Sequence, residues 1–342
     1  MTSRERVLTA LSRRQPDRVP YCELGVDRSL AQRLMGWGAP ASQASNLEAN
    51  AYTVEEAKAL AAFLKLDNLS YVLRAPVYAH KEAGQDGRLF YGDGLIRTEA
   101  DLDRLQLPDP TDDALYAGAA AFLEQKGEYS AWFVTRIGIF PTMLSLGTEN
   151  FCLALYDNRR FVEAVLDRYV DWIVVVAERV CRMGFDVFAS TDDMAFNTDP
   201  FFSPAVFREL IKPRLVTLFA GLRRLAPGAR RFFHSDGNVR PLLPDFIDMG
   251  VDILNPVHVR AAGMEPSALK RDFGRDLVFW GGGVDTQGVL PNGAPQAVKD
   301  DVRRNVEALA PGGGFVFNTV HNIQADVPPA NIVAMWEALR DT

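Results

Sequence analysis

The 342-residue chain has only three cysteines and four histidines. Cys22, Cys152 and Cys181 lie far apart and form no C-x-x-C pair, which excludes a disulfide framework and a cysteine-rich zinc site. No run of eighteen apolar residues occurs, so no membrane-spanning helix is expected. Positive charge is in deficit: 37 Lys and Arg stand against 44 Asp and Glu, a net charge of -7, and the cations are scattered along the chain. A nucleic-acid surface needs a basic patch and is disfavoured. The glycine loops G-x-G-x-x-G and G-x-x-x-x-G-K-[ST] are missing, as is the G-x-S-x-G elbow of a serine hydrolase. Arg4, Glu5 and Arg6 stand where a signal peptide would place apolar residues, so a cytoplasmic protein is expected.

What is present points to a large α/β core. Hydrophobic residues make up 48% of the chain and charged residues 24%, ordinary for a globular protein. From residue 132 onward, short apolar runs alternate with helical patterns, which favours a parallel sheet. Strands are expected at 132–137, 186–190, 231–233, 252–255, 277–280 and 315–318. Helices are expected to start near Pro141, Arg159, Ser203, Pro241, Pro266, Pro295 and Pro329. Ser203 before Pro204 is a strong helix start, whereas Pro213 should kink or restart the helix it falls in. Adding 68–74 and an extended segment around Val19 gives about eight strands, the number that closes a single (β/α)8 TIM barrel. That barrel would span 1–342 with residues 1–66 as an N-terminal helical extension; an open doubly wound sheet is the alternative. The stretch VYAHKEAGQDGRLFYGDGLIRT reads as a hairpin excursion turning at Asp86-Gly87.

In a parallel sheet the residues just past each strand share one rim. That rim collects Arg136, Asp192, Asp193, His234, Asp236, Asn255, His258, Asp285, Gln287, Asn318, His321 and Asn322, with three of the four histidines. His80, in the hairpin, reads as a surface residue. His234 and Asp236 alternate with Ser235 and so face one side of an extended strand end. Imidazoles with carboxylates suit a divalent metal, for which His234, Asp236, His321 and either Asp192 or Asp193 form an N/O donor set. The same groups also suit acid/base work without metal. His258 reads as a neighbour of the ligands or a substrate contact. Gly281, Gly282 and Gly283 read either as a tight turn, the favoured reading, or as a close backbone approach to a ligand.

The segments SRERVLTALSRRQPDRVP, GIFPTMLSLGTENF, FASTDDMAF, RRFFHSDGNVRPLLPDFIDMGVDILNPV, FWGGGVDTQGVLPNGAP and GGGFVFNTVHNIQADVPPANI together resemble the uroporphyrinogen decarboxylase superfamily. That superfamily includes the decarboxylase and the zinc- and corrinoid-dependent methyltransferases. The resemblance implies one barrel, often a homodimer, with its cleft at the carboxyl ends of the strands.

Two departures from the family patterns bear on activity. Where the decarboxylases carry an R-Q-A-G-R type segment that meets the acidic substrate, this chain has Pro20, Tyr21, Cys22, Glu23, Leu24 and Gly25. Glu23 would repel a polycarboxylate, although Asp67 precedes a strand roughly where the decarboxylase carries its essential aspartate. The methyltransferase motif His-x-Cys with a later cysteine becomes His234-Ser235-Asp236 with His321.

The expected activity is therefore methyl transfer between a small substrate and a corrinoid or thiol partner, the corrinoid supplied by a partner protein. Zn²⁺ or another divalent ion would sit on His234, Asp236 and His321, with Asp192, Asp193 and His258 as catalytic groups. Arg136, Asn255, Asp285, Gln287, Asn318, Asn322 and Glu23 would contact substrate. The alternatives are a metal-free decarboxylase, with Arg136 or Arg240 on a carboxylate and Asp67 as acid/base, and a non-catalytic tetrapyrrole-binding protein.

Overall fold

The computed structural model describes residues 1–38, 50–84 and 89–342. Apolar β-branched and aromatic runs form the strands β1 (Asn68–Val72), β2 (Ala79–Ala83), β3 (Leu89–Gly94), β4 (Ser130–Thr135), β5 (Val187–Thr191), β6 (Arg230–His234), β7 (Ile253–Asn255), β8 (Val278–Trp280) and β9 (Phe315–Val316). Seven of them make one curled, all-parallel sheet in the order β1-β4-β5-β6-β7-β8-β9, with helices in the connections. β2 and β3 form the expected antiparallel hairpin, and His80 on it is exposed. The Asp86-Gly87 turn lies outside the described residues.

Among the described residues the sheet has seven strands, not the eight expected. Around the eighth place the chain makes two isolated parallel bridges, Tyr21 to Phe317 and Val26 to Ile323. Cys22 N–H donates to Phe317 O at 2.9 Å, Phe317 N–H to Pro20 O at 2.9 Å and, on the other side, Asp67 N–H to Tyr21 O at 2.7 Å. A longer ladder is blocked because Pro20 has no N–H and the Tyr21 N–H is already given to the Asp67 carboxylate at 3.0 Å.

Side chains alternate between two cores, as the strand period requires. Trp132, Val134, Val187, Ala189, Phe232, Ile253, Val278, Trp280 and Val316 turn inward and cluster with Val7, Ala10 and Leu11 of the Ser3–Leu11 helix. Phe133, Phe188, Phe233, Leu254, Phe279 and Phe315 turn outward into the larger core under the helices. The first helix of the expected extension thus packs into the sheet's interior. Cys22 is buried in that same inner cluster, where burial pushes its thiol pKa well up, as suits a small core residue.

Prolines open helices where the sequence placed them. Ser203 accepts from Val206 N–H at 3.3 Å with Pro204 beginning the helix, and Pro266, Pro295 and Pro329 each stand first in theirs. Pro213 is absorbed by a π-helical turn, Phe207–Ile211, ahead of the Lys212–Leu225 helix, because a proline cannot donate to the turn before it. A Cβ on Gly282, at φ 78°, would lie 2.6 Å from Val257 Cβ, and one on Gly283 would lie 2.3 Å from the Phe317 ring. The glycine run is therefore a packed turn. Among the described residues no helix is long and apolar enough to cross a membrane.

Asp67 ends up away from the rim. It precedes β1 at the amino end of the sheet, fully buried, with Arg6 Nη1 at 2.7 Å and Arg18 Nη1 at 2.9 Å. Its carboxylate joins the amino-terminal segment to the sheet and does not share the carboxyl-end rim with the histidines, which corrects the acid/base role expected for it. Asp67→Ala is expected to lower the unfolding free energy by about 3 kcal/mol, since it strips a buried carboxylate from guanidinium partners. Urea denaturation followed by circular dichroism reads this; an unchanged midpoint would mean that these ion pairs hold nothing together.

Candidate metal centre

β6 ends on His234, two residues beyond the inward-facing Phe232, so its imidazole points into the sheet's carboxyl mouth. Asp236 follows two residues later, and His321 arrives from the loop after β9. Donor atoms of His234, Asp236 and His321 all lie within 4.8 Å of one another. His321 Nε2 stands 3.6 Å from Asp236 Oδ2, and the two imidazole rings are 6.2 Å apart. These are not hydrogen bonds. They match ligand atoms around a shared ion, since donors about 2.1 Å from a tetrahedral zinc stand roughly 3.4 Å from one another.

The hydrogen-bond network fixes which nitrogen faces the site. His234 Nδ1 lies 2.6 Å from Asn255 Oδ1. Asn255 Nδ2 donates to Trp280 O at 2.8 Å and to Asn318 Oδ1 at 3.1 Å, so Asn255 Oδ1 is the acceptor and His234 Nδ1 carries the hydrogen. The Nε2 lone pair is left for the mouth. His321 is about a third exposed (34%), and burial lowers its pKa below the ordinary value, which favours the neutral, ligating imidazole. Asp236 Oδ1 is buried without a hydrogen-bond donor among the described residues. Such an oxygen costs about 1–3 kcal/mol unless something cationic meets it. Two imidazoles and a carboxylate with an orphaned oxygen fit a divalent ion.

The other carboxylates of the rim separate by what their oxygens already hold. Asp193 Oδ1 accepts from Asp236 N–H at 2.9 Å and stands 3.7 Å from His234 Nε2, beside the centre. Asp192 accepts from Ile137 N–H at 2.7 Å and Phe140 N–H at 2.8 Å, one bond to each oxygen. Fully buried, it caps the start of the Ile139–Leu146 helix, which has no other side-chain cap, so both of its oxygens are already engaged in holding that turn. Burial pushes its pKa up although the two amides pull against this. Asp285 is likewise committed, to Gln287 N–H at 2.9 Å, Val289 N–H at 3.3 Å and Arg260 Nη1 at 3.0 Å.

Of the expected substrate contacts, Asn255, Asn318 and Glu23 lie buried behind the histidines. Asn318 Nδ2 donates to Glu23 Oε2, so this trio is a hydrogen-bonded chain and not an open surface. Gln287 is exposed, and Asn322 Oδ1 accepts from Gln324 Nε2 at 3.0 Å. Arg136 is buried in the mouth with its guanidinium over Tyr91 at 5.7 Å and Phe140 at 5.1 Å. Arg240 is paired with Asp272. His258 Nδ1 accepts from Gly237 N–H at 2.9 Å, which puts its hydrogen on Nε2, a buried donor with no acceptor among the described residues.

Three residues escaped the sequence reading. Arg74 donates to Thr191 Oγ1 at 2.9 Å; it stands in phase with Ser70 and Val72 of β1, a signal that strand period alone carries. Ser235 Oγ accepts from Met194 N–H at 2.9 Å and fixes the loop behind Asp193. Thr319 bonds Glu23, and only the fold brings those two together.

Comparison with known proteins adds a family and a fold. The family model described as uroporphyrinogen decarboxylase (URO-D) matches residues 91–342. The uroporphyrinogen decarboxylase of Methylococcus capsulatus is 25% identical over 257 residues, covering 72% of this chain and 70% of that one. Among solved structures, a methyltransferase from Methanosarcina mazei aligns over 100% of this chain and 99% of its own with a TM-score of 0.75 at 18% identity, a likeness of fold.

Asp192→Asn keeps the shape but leaves one amide facing an NH2 group. The expected loss is about 1–3 kcal/mol of stability, measured by thermal or urea unfolding, with bound metal unchanged. Loss of metal at full stability would instead return Asp192 to the ligand set.

Proposed function

The chain belongs to the uroporphyrinogen decarboxylase family, and on that premise we propose that it is a metal-dependent methyltransferase, acting between a small substrate and a corrinoid or thiol partner. The carrying observation is the convergence of His234, Asp236 and His321 on one spot of the carboxyl mouth. The name of its fold relative, a methyltransferase, points the same way. Porphyrinogen decarboxylation is disfavoured on two counts. Asp67 is spent on Arg6 and Arg18 at the amino end, and residues 20–25 bring a buried glutamate where a polycarboxylate would need arginines.

His234 Nε2, a nitrogen of His321 and an oxygen of Asp236 would hold Zn²⁺ or another divalent ion, leaving room for one further ligand. When bound, the ion supplies Lewis acidity that lowers the pKa of a thiol or an oxygen acceptor. With no thiolate among its donors, the site is harder than a cysteine-rich one and discriminates less in favour of sulfur. Asn255 orients His234 through Nδ1. Asp193 holds the Asp236 backbone and stands near enough to His234 to draw a proton from an incoming acceptor. Arg136 and Arg74, both close enough to Asp192 to act on its charge, suit a substrate that carries a carboxylate. The methyl-bearing corrinoid would arrive on a partner protein.

Elemental analysis of the purified protein after zinc loading is expected to find about one zinc per chain, falling to background in His234→Ala and in His321→Ala. Transfer of methyl from methylcobalamin to a thiol should fall at least about 100-fold in both variants. Stoichiometric zinc in either variant would reject the ligand assignment. A zinc-free wild type that releases CO2 from a small acid would favour the decarboxylase reading.

A further inference from the structure

Glu23 is 4% exposed, and among the described residues no cationic side chain pairs with it. Its backbone is pinned to the first residue of β1, with Glu23 N–H donating to Asn68 Oδ1 at 3.1 Å and Asn68 Nδ2 donating to Glu23 O at 3.0 Å. Its carboxyl reaches the loop after β9. Oε1 accepts from Thr319 N–H at 3.2 Å, while Oε2 takes the Asn318 Nδ2 hydrogen and lies 2.9 Å from Thr319 Oγ1. Thr319 Oγ1 also bonds the His321 carbonyl.

A count of hydrogens decides the state of this acid. Thr319 has one hydroxyl hydrogen and two oxygen neighbours. The His321 carbonyl can only accept, and an ionised Glu23 can only accept too, so one hydrogen cannot serve both; both contacts are met when the hydroxyl donates to the carbonyl and Glu23 to the hydroxyl. Glu23 Oε2 then faces the threonine oxygen across 2.9 Å with no hydrogen between them unless Glu23 brings its own. A protonated Glu23 satisfies every contact: it donates to Thr319 and accepts from Asn318 and from the Thr319 amide. On its other side the chain runs from Asn318 through Asn255 to His234 Nδ1.

Resting on the metal-centre reading above, we propose that Glu23 is the positioning residue of that centre. As a neutral acid, it ties the His321 loop through Thr319 and the His234 ring through Asn318 and Asn255, and so sets the separation of the two imidazoles. Burial agrees with this, pushing the carboxyl pKa up to about 8. The groups facing the carboxyl are the buried Tyr21 and Cys22 of its own segment and the uncharged Asn318 and Thr319 of the loop after β9; hydrogen bonds from Thr319, Tyr21 and Asn318 pull the pKa down against burial, while Asn68 of β1 holds only the backbone. Because the folded pKa exceeds the unfolded one, the stability Glu23 adds is full at acid pH and is lost as pH rises toward about 8.

The test measures zinc affinity of the full chain by competition with a chromophoric chelator, and the ¹⁵N spectrum of the histidine rings without metal. Glu23→Ala is expected to weaken zinc about 10–100-fold and to blur the His234 Nδ1–H signature. Thr319→Val, which keeps its shape and is the safer fold, should weaken zinc by a similar factor while leaving His234 alone. Glu23→Gln can still donate to Thr319 but sets its NH2 against the Asn318 Nδ2 donor, so it should weaken zinc by less than Glu23→Ala while not matching the wild type. The wild type's advantage over Glu23→Gln should shrink between pH 7 and pH 9. If Glu23→Gln is as weak as Glu23→Ala and the ratio is independent of pH, the acid works as an anion and the proposal falls. If the wild type binds no zinc, the metal reading fails by itself, and the ring spectra then decide the positioning role: unchanged His234 signals in Glu23→Ala would overturn it.

Discussion

A histidine offers a cation only the nitrogen that carries no hydrogen, and in this chain Asn255 decides which nitrogen of His234 that is. One carboxamide accepts from the imidazole and donates to Trp280 and Asn318, so neither its rotamer nor its flip is free. The pairing of β6 with β7 puts it there: Phe232, Phe233 and His234 lie opposite Ile253, Leu254 and Asn255. A slip of one residue would turn Asn255 outward and Leu254 into the mouth. The register is held in turn by the alternation that sends Phe232 and Ile253 to the inner cluster and Phe233 and Leu254 to the outer core.

The two ends of the sheet solve opposite problems. At the amino end, charges are matched where they are buried: Asp67 with Arg6 and Arg18, Asp186 with Arg4, Asp252 with Arg231. The Ser3–Leu11 helix closes that end with Val7, Ala10 and Leu11. At the carboxyl end, polar atoms are left without partners among the described residues, notably Asp236 Oδ1 and His258 Nε2. Ion pairs are assembled at one face and unpartnered polar atoms at the other, a division that parallel α/β architecture allows because its connections enter and leave strands on opposite sides. The family relationship fits this division without choosing a reaction, since that choice rests with the few side chains at the mouth.

Much of this was legible from residue order alone. Alternating strand and helix patterns gave the parallel sheet, and Pro266, Pro295 and Pro329 marked helix starts to the residue because proline tolerates little else inside a helix. The collection of three histidines at strand ends was visible because strand ends share a rim whatever the loops do. The extended segment around Val19 counts as an eighth strand by its pattern, but Pro20 and the side chain of Asp67 take away hydrogen bonds that a ladder needs, and only isolated bridges form among the described residues.

Residue order by itself determined which side chains reach the mouth, since strand period and connection direction are local properties. Only the tertiary structure decided what each of them is free to do. Asp192 and Asp193 are neighbours in the chain, yet one is consumed by the amides of Ile137 and Phe140 and the other stands beside His234. Glu23 meets Thr319 from almost three hundred residues away. A carboxylate's chemistry depends on which donors have already claimed its oxygens, and those donors come from distant segments that only the packed sheet brings within 3 Å.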